Sequence, residues 1–552
     1  MQNKCCKIQL LKMINLVNKI IDKIENNNAS LLNWVGFFFV VVLFRFLLDS
    51  FSGLGYLGQF LTAASFLHMF LWYASVVISI IIILHLFSKE KIEKVFKSIL
   101  IFFPLIFISI LLPFVINEPV FRSYSYIFAQ NWSQLFGSIF GFFFNFNSVF
   151  NFSISIRVEI FVFLFLMAVY IFAKTRNLLK TLLAAFFGYL AIMLFGSLPS
   201  FIIIFQNPLS LHPVAYFLNL FYNNFNILFV GHNYFEFLSS QSYNIWLDLI
   251  SSAIIFPAFV LGIFILFFIY NKNLLKTVVD NFRWERGVAY VVMSFIGVVV
   301  AWKYQNIPVQ FNFINIFCLI DLALSAFLFH LATIFHNDIY DYQIDAVSNS
   351  NRPLPSGKMS SSQFRYLSLI FSLMSLIGSL VLNFYFFILV LASLGLAFLY
   401  SSPPLRLKKV FLLNIFLIAM AYLFFVMGGF FVAFPKATIN DFPINIAFLT
   451  ILAVFLAGNF KDIKDFQGDK EQSISTIPSL FGLSVGKKII GAILFVSTII
   501  FPIFLKISAL YFPAIIFGII FYWLASRKNY SEKPIFFAYL CYIILVMVAV
   551  IF

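Results

Sequence analysis

Charged residues are scarce in this chain. Asp, Glu, Lys and Arg make up 10% of its 552 residues, whereas hydrophobic residues make up 62%. Soluble globular domains carry about 25% charged residues, so this composition excludes an ordinary soluble protein. The mean hydropathy of +1.00 indicates an integral membrane protein instead.

Cysteine is also rare. The four cysteines, Cys5, Cys6, Cys318 and Cys541, are not spaced as a metal site or a disulfide framework would require. The adjacent Cys5 and Cys6 could carry a lipid anchor. No small-residue cleavage site follows the first apolar run, so we expect no removable signal peptide.

Acidic residues are fewer than basic ones: 21 Asp and Glu stand against 36 Lys and Arg, for a formal net charge of +15. The basic excess lies in short loops between apolar segments, where positive charge sets the orientation of membrane helices. We therefore expect no nucleic-acid binding. The positive-inside rule predicts that the N-terminus and the acidic motifs described below lie on the cytoplasmic side.

Apolar segments of about 20 residues, the length needed to cross a bilayer, recur along the chain. Residues 1–280 contain six of them, 32–49, 62–87, 98–116, 158–173, 181–205 and 247–270. Residues 281–552 contain nine more, 288–303, 314–334, 364–381, 384–400, 410–434, 443–460, 485–503, 508–525 and 534–551. The sequence therefore predicts an all-α polytopic membrane protein of about 15 transmembrane helices in two regions.

Three further segments lie outside these spans. Residues 1–30 have apolar side chains every three or four positions, a pattern typical of a helix on the membrane surface. The aromatic, amide-rich segments 117–157 and 206–246 indicate interfacial or re-entrant helices. No motif in residues 1–280 identifies a chemistry. That region could be a scaffold, a partner-binding module or a lipid-handling unit.

Two acidic motifs of identical spacing follow apolar helices. They comprise Asn337, Asp338, Asp341 and Asp345 in the first, and Asp462, Asp465 and Asp469 in the second. On an α-helix, the offsets of each aspartate triplet lie on one face. Taken alone, either motif could simply be a helix end whose charges face solvent. The repeat at two membrane boundaries instead predicts a site for Mg²⁺, which binds a few carboxylates together with substrate phosphate oxygens.

Two more motifs accompany the aspartates: N-R-P-L-P-S-G at residues 351–357 and Y-S-S-P-P-L-R-L-K at residues 400–408. With the S-T-I-P segment at residues 475–478, these motifs make residues 281–552 resemble the UbiA superfamily of intramembrane prenyltransferases. The resemblance implies a helical bundle of nine spans that holds Mg²⁺ between the two acidic motifs. It does not extend to residues 1–280.

Cationic and polar side chains near the motifs are candidates for binding a diphosphate. We expect this role for Asn337, Arg352, Tyr400, Ser401, Lys408, Lys461 and Lys470, and a direct part in catalysis for Asp341, Asp465, Arg352 and Lys408. The lysines could instead serve only as orientation signals, and Tyr400 and Ser401 could simply pack at a helix end.

The leading hypothesis is a Mg²⁺-dependent transferase that moves an isoprenyl group from its diphosphate to a hydrophobic acceptor in the membrane. The acceptor could be an aromatic ring, a tetrapyrrole or a glycerol-phosphate lipid. Related members of the family transfer phosphoribose to a polyprenyl phosphate, which is one alternative. A transporter would need several facing acidic residues inside the spans, and Asp321 is one such residue. A complex subunit with an inactive prenyltransferase half is a further alternative.

Overall fold

The computed structural model describes residues 15–52, 63–116, 126–127, 129–144, 153–206, 243–305, 313–471 and 475–551. These residues are mostly helical, and no β-strand occurs among them. Fifteen of the described helical segments are long and apolar enough to cross a membrane. The prediction of an all-α protein with about 15 transmembrane helices is thus confirmed.

The described residues form two compact units, one ending at Lys272 and one beginning at Asn273, with Phe313 and Ile314 grouped with the first. The first unit contains α1 (Leu31–Ser52), α2 (Ala63–Ser88), α3 (Ile92–Phe102), α4 (Ile108–Ile116), α5 (Trp132–Gly141), α6 (Ile154–Thr175), α7 (Leu178–Gly196), α8 (Leu198–Gln206) and α9 (Tyr243–Tyr270). A further helix, α10 (Lys272–Asp280), follows in the chain.

The structure refines several boundaries of the first region. The predicted span 98–116 begins earlier and contains a 3₁₀ turn, Phe103–Phe107, with a proline in its first turn. Proline lacks the backbone N–H that an α-helix requires. Residues 15–25 are helical, and α5 lies within the predicted interfacial segment 117–157. Residues 1–14 and most of the predicted segment 206–246 lie outside the described residues.

A charged cluster joins three helices of the first unit. Arg45 on α1 pairs with Asp49 at 2.9 Å, as expected for an ion pair four residues apart. It also reaches Glu159 of α6 at 3.5 Å and the hydroxyl of Ser109 on α4 at 2.8 Å. The cluster thus ties α1, α4 and α6 together.

The second unit contains α11 (Trp284–Gln305), α12 (Phe313–Tyr340), α13 (Tyr342–Ser348), α14 (Ser361–Leu382), α15 (Phe384–Ser401), α16 (Leu413–Ala433), α17 (Ile444–Ala457), α18 (Asp462–Glu471), α19 (Ile477–Phe481), α20 (Leu483–Leu505), α21 (Tyr511–Ser526) and α22 (Glu532–Ile551). The nine predicted spans correspond to α11, α12, α14, α15, α16, α17, α20, α21 and α22.

Helices α11 and α16 pack with their backbones in direct contact. A Cβ atom on Gly297 would lie 1.9 Å from the carbonyl oxygen of Val426, and one on Gly429 would lie 1.8 Å from that of Ser294. Both distances are far inside van der Waals contact, so only glycine fits at these positions. Small residues that allow close backbone approach are a recurrent means of packing helices in membranes.

Candidate active site

The first acidic motif contains a break in the helix. Helix α12 ends at Tyr340, α13 begins at Tyr342, and Asp341 is the turn residue between them. The amide of Asp341 still donates to the carbonyl of Asn337, and the amide of Asp345 donates to that of Asp341. The helix is thus interrupted at Asp341 although its hydrogen bonds continue, and of the three aspartates only Asp341 and Asp345 line the cavity described below.

A cavity of about 560 Å³ lies within the second unit. This volume is within the range of roughly 300–1,000 Å³ that is typical of ligand pockets. Its polar lining includes Asn337, Asp341, Asp345, Arg352, Tyr400, Ser401, Lys408, Lys461, Asp462, Asp465 and Asp469. Both acidic motifs therefore reach the same cavity. Asp338 and Lys470 do not line it, and the Lys470 side chain is exposed.

Asp338 is held by residues that the sequence reasoning did not assign to the site. Arg283 donates from Nη2 to both of its carboxylate oxygens, at 2.5 and 2.7 Å, and Asn281 donates to Oδ2 at 3.1 Å. Asp338 is 2% exposed. Burial lowers the pKa of Arg283, although the Asp338 carboxylate opposes that shift. This arrangement compensates the buried charge of Asp338 and fixes the end of α12 against the segment that precedes α11.

The other two aspartates of the first motif also have cationic partners. Arg352 donates to Asp345, and Lys408 donates to Asp341. Burial raises the pKa of the Asp345 carboxyl above its ordinary value, and Arg352 offsets only part of that rise. Burial lowers the pKa of Arg352, but the Asp338 and Asp345 carboxylates outweigh it and raise the pKa overall. Burial lowers the pKa of Lys408 to about 8.

The Tyr400–Lys408 motif contacts the first acidic motif through Asn337. Ser401 donates from Oγ to the amide oxygen of Asn337 at 2.8 Å, and Asn337 donates from Nδ2 to Asp341 Oδ2 at 2.7 Å. This chain of hydrogen bonds orients the Asp341 carboxylate. Lys461, beside the second motif, donates to the Tyr400 hydroxyl at 3.3 Å.

The second acidic motif differs from the first in its charge balance. Asp462, Asp465 and Asp469 all lie on α18, which packs against α13 of the first motif. Among the described residues, none of these three carboxylates has a cationic side chain within 4.0 Å, whereas every aspartate of the first motif does. The negative charge of the second motif is therefore not compensated by direct ion pairs.

The donor set fits a divalent cation. One buried oxygen from each motif, Asp345 Oδ2 and Asp465 Oδ1, has no hydrogen-bond partner among the described residues. In that part of the chain, no three acidic, histidine or cysteine side chains converge closely enough to hold a metal by themselves. Mg²⁺ in phosphate-binding sites is typically held by one or two carboxylates plus the substrate's phosphate oxygens, so this geometry suits a metal that binds together with a diphosphate.

Two ion pairs connect α11 and α22 beside the cavity. Arg286 donates to Glu532 at 2.8 Å, and Glu285 pairs with Lys533 at 3.3 Å. Lys464, next to Asp465 on α18, also pairs with Glu532 at 3.5 Å. Glu285 and Arg286 line the cavity. The first and last spans of the second unit therefore meet at the level of the acidic motifs.

In the sequence, Arg283 and Arg286 are two of the basic loop residues that the positive-inside rule interprets as orientation signals. Their acidic partners lie 55 and 246 residues away in the chain. The one available signal was that Asp338 precedes a membrane boundary and requires a neutralising cation. That signal does not say which of many basic residues supplies it.

Comparison with known proteins identifies a family and relatives for the second unit. The model of the UbiA prenyltransferase family matches residues 290–544. A digeranylgeranylglyceryl phosphate synthase from Thermococcus sibiricus is 32% identical over 203 residues, which are 36% of this chain and 70% of that protein. The bacteriochlorophyll synthase 33 kDa chain of Rhodobacter capsulatus is 30% identical over 157 residues, 28% of this chain and 51% of that one.

Among solved structures, a UbiA homologue from Archaeoglobus fulgidus bound to DMAPP and Mg²⁺ aligns with a TM-score of 0.38 and 17% identity, covering 50% of this chain and 99% of that chain.

The fold and the cavity define a polytopic membrane protein whose second unit encloses a cavity that is polar at the acidic motifs and apolar in its interior. This chain belongs to the UbiA prenyltransferase family.

Proposed function

We propose that the second unit transfers an isoprenyl group from its diphosphate to a lipid-soluble acceptor, with Mg²⁺ held between Asp341 and Asp345 on one side and Asp462, Asp465 and Asp469 on the other. The observation that carries this proposal is the meeting of both acidic motifs at the polar end of one cavity. When bound, Mg²⁺ would neutralise the diphosphate and stabilise it as a leaving group.

Three cations of this chain would act on the diphosphate directly. Lys408 and Arg352 lie between the motifs, because each pairs with the first motif and interacts electrostatically with Asp465 of the second. Lys461 places a third positive charge beside the Tyr400 hydroxyl, to which it donates a hydrogen bond. Arg352 can contact phosphate oxygens in a bidentate manner, whereas the two lysines act as point charges. Asp338, whose carboxylate is held by Arg283, would instead support the geometry of the site.

The apolar part of the cavity would exclude water from the reacting carbon. Val292, Met293, Leu417, Ile418, Val454 and Leu540 are among the apolar side chains that line it. An allylic cation reacts rapidly with water, so a dry site favours transfer to the intended acceptor. The same apolar surface would hold the prenyl chain and the apolar part of the acceptor.

The acceptor class follows from the relatives and from the environment. One relative is named for a glyceryl phosphate lipid and another for a bacteriochlorophyll, and both names are compatible with an acceptor that dissolves in the membrane. By the positive-inside rule, the polar end of the cavity would face the cytoplasm, the side on which the charged diphosphate group is hydrated. A transporter would need several facing carboxylates inside the spans, whereas Asp321 is the one carboxylate deep within a described span of the second unit.

The test is turnover by the full chain, purified in detergent and incubated with Mg²⁺, a panel of isoprenyl diphosphates and a membrane lipid extract. Products are read by mass spectrometry, together with diphosphate release. We expect Asp341→Ala and Asp465→Ala each to lower turnover by about 100-fold or more, the scale of losing one electrostatic contact to the transition state.

Glu471→Ala is the matched control. Glu471 lies on the same helix as Asp465, carries the same charge and is exposed outside the cavity. This variant should retain full activity. Wild-type turnover that persists in both aspartate variants would rule out the proposed role of the motifs. A chain that releases no diphosphate under any of these conditions would rule out the transfer reaction.

A further inference from the structure

The apolar end of the cavity lies well away from the acidic motifs. Ala453 precedes Asp462 by nine residues, and Ile543 follows Glu532 by eleven. At 1.5 Å per α-helical residue, the separation of Glu532 and Ile543 within α22 corresponds to about 16 Å along the helix axis. Ala453 lies on α17, ahead of the 3₁₀ turn Gly458–Lys461 that leads to Asp462. Glu532 marks the level of the motifs because it pairs with Lys464, the neighbour of Asp465. Ala453 and Ile543 therefore lie deep in the apolar interior.

Phe501 closes the cavity at that depth. Its side chain packs in one buried cluster with Ala453 and Ile543, and all three line the cavity. Other members of the cluster, including Leu449, Leu510, Ala514, Tyr542 and Val546, are buried but do not line it. Phe501 therefore stands between the cavity and the buried residues of this cluster that do not line it.

The Phe501 ring is held in a fixed position. It contacts the ring of Tyr542 edge to face, with 5.5 Å between centroids. Tyr542 in turn donates its hydroxyl to the carbonyl of Thr498 at 2.7 Å. That carbonyl is available because Pro502, four residues later in α20, has no N–H to donate to it. Proline and tyrosine together thus fix the residue that terminates the cavity.

We propose that Phe501, with Ala453 and Ile543, sets the maximum length of the prenyl chain that the enzyme accepts from its diphosphate donor. This inference rests on the proposed function, since the diphosphate must bind at the acidic motifs. A chain attached to that diphosphate and extended along α17, α20 and α22 reaches Phe501 after a few isoprene units. A longer chain meets a ring that cannot move without displacing Tyr542.

The end of the cavity near Phe501 would limit the length of the donor's prenyl chain and would not select the acceptor. Trp284, Glu285, Phe536 and Phe537 line it within the first two turns of α11 and α22, at the level of the motifs. The reacting part of the acceptor must approach at that level, next to the carbon that leaves the diphosphate. The space toward Phe501 remains for the chain of the donor.

The experiment compares geranyl, farnesyl, geranylgeranyl and longer isoprenyl diphosphates as donors for the full chain, with one acceptor extract. In Phe501→Ala, kcat/KM for the donor one unit longer than the wild-type limit should rise about tenfold or more, as expected when space for a few methylene groups is gained. In Ala453→Phe, kcat/KM for the longest wild-type donor should fall by a similar factor, while the shortest donors react as before. Ile543→Ala is a second enlarging variant in case Phe501→Ala does not fold.

Ile500→Ala is the matched control because Ile500 is adjacent, belongs to the same cluster and is 9% exposed, against 8% for Phe501, but does not line the cavity. It should keep the wild-type donor profile. Binding of non-hydrolysable isoprenyl thiodiphosphates, read by thermal shift, should follow the same length dependence.

An unchanged donor profile in folded Phe501→Ala, Ile543→Ala and Ala453→Phe would overturn the inference while leaving prenyl transfer intact. A change confined to the acceptors that are used would also overturn it. If the wild type transferred no isoprenyl group from any donor, the proposed function itself would be refuted.

Discussion

Lys408 and Asp341 form an ion pair at the polar end of the cavity, although 67 residues separate them in the chain. Lys408 also interacts electrostatically with Asp469 of the second acidic motif. The lysine therefore joins the two motifs before any substrate is bound, and its charge is suited to receive a diphosphate.

The charge of Lys408 should make donor binding depend on pH. Burial lowers the pKa of this lysine to about 8, so the amine is protonated below that pH and loses its charge as the pH rises through it. We expect the KM for the isoprenyl diphosphate to increase above pH 8, with a smaller effect on kcat. The measurement is steady-state kinetics on either side of this pH.

Lys408→Arg should remove that increase, because arginine stays charged throughout, and Lys408→Ala should show a high KM at every pH. Lys470→Ala is the control, since Lys470 is exposed and outside the cavity. A KM that rises equally in Lys408→Arg and in the wild type would assign the pH dependence to another group.

Arg283 should be needed for stability because of Asp338. Arg283→Ala removes the cation that hydrogen-bonds both oxygens of the buried Asp338 carboxylate and leaves it with Arg352 at 3.9 Å. Removing one member of a buried pair typically costs about 3–5 kcal/mol. We expect a clear fall in thermal stability in detergent. The double variant Arg283→Ala, Asp338→Asn should recover much of the loss, since the uncompensated charge is then absent.

Arg365→Ala removes an exposed arginine at the start of α14 and should leave the stability unchanged. Additive losses in the double variant would contradict the interpretation, because two residues that act through one ion pair must show coupling.

The contact between α11 and α16 predicts that glycine-to-alanine substitutions differ markedly in their effect on stability. Gly429→Ala places a Cβ against the Ser294 carbonyl, so we expect a loss of about 1–3 kcal/mol from overpacking. Gly395→Ala should be neutral or stabilising by up to about 1 kcal/mol, because alanine favours helices and no atom lies within 4 Å of its Cβ position. Chemical unfolding in detergent distinguishes the two, and equal stabilities would contradict the close packing.

Much of the second unit was predictable from local patterns. Apolar segments of bilayer length require helices, and the nine spans of the second unit correspond to those predicted. The repeated aspartate spacing indicated that two motifs meet at one site, and both line the cavity. Each span and each aspartate motif is a pattern of residues that are close together in the chain.

Features that depend on contacts between distant helices were not predictable. The pairing of Arg283 with Asp338 requires knowledge of which loop lies beside α12. The turn at Asp341 was not predictable for another reason: the aspartate spacing is the same whether the helix continues or is interrupted there. Phe501 is one of 81 phenylalanines, and only the packing of α17, α20 and α22 shows that it ends a cavity.

The ion pairs between α11 and α22 have a consequence for biogenesis. Arg286 and Glu532 are separated by 246 residues, so α11 enters the bilayer long before its partner is synthesised. Until α22 inserts, one wall of the cavity is missing and the charges of Glu285 and Arg286 face lipid headgroups and water. Assembly of the reaction chamber is therefore a late event, and substrates cannot be enclosed by a partly translated chain.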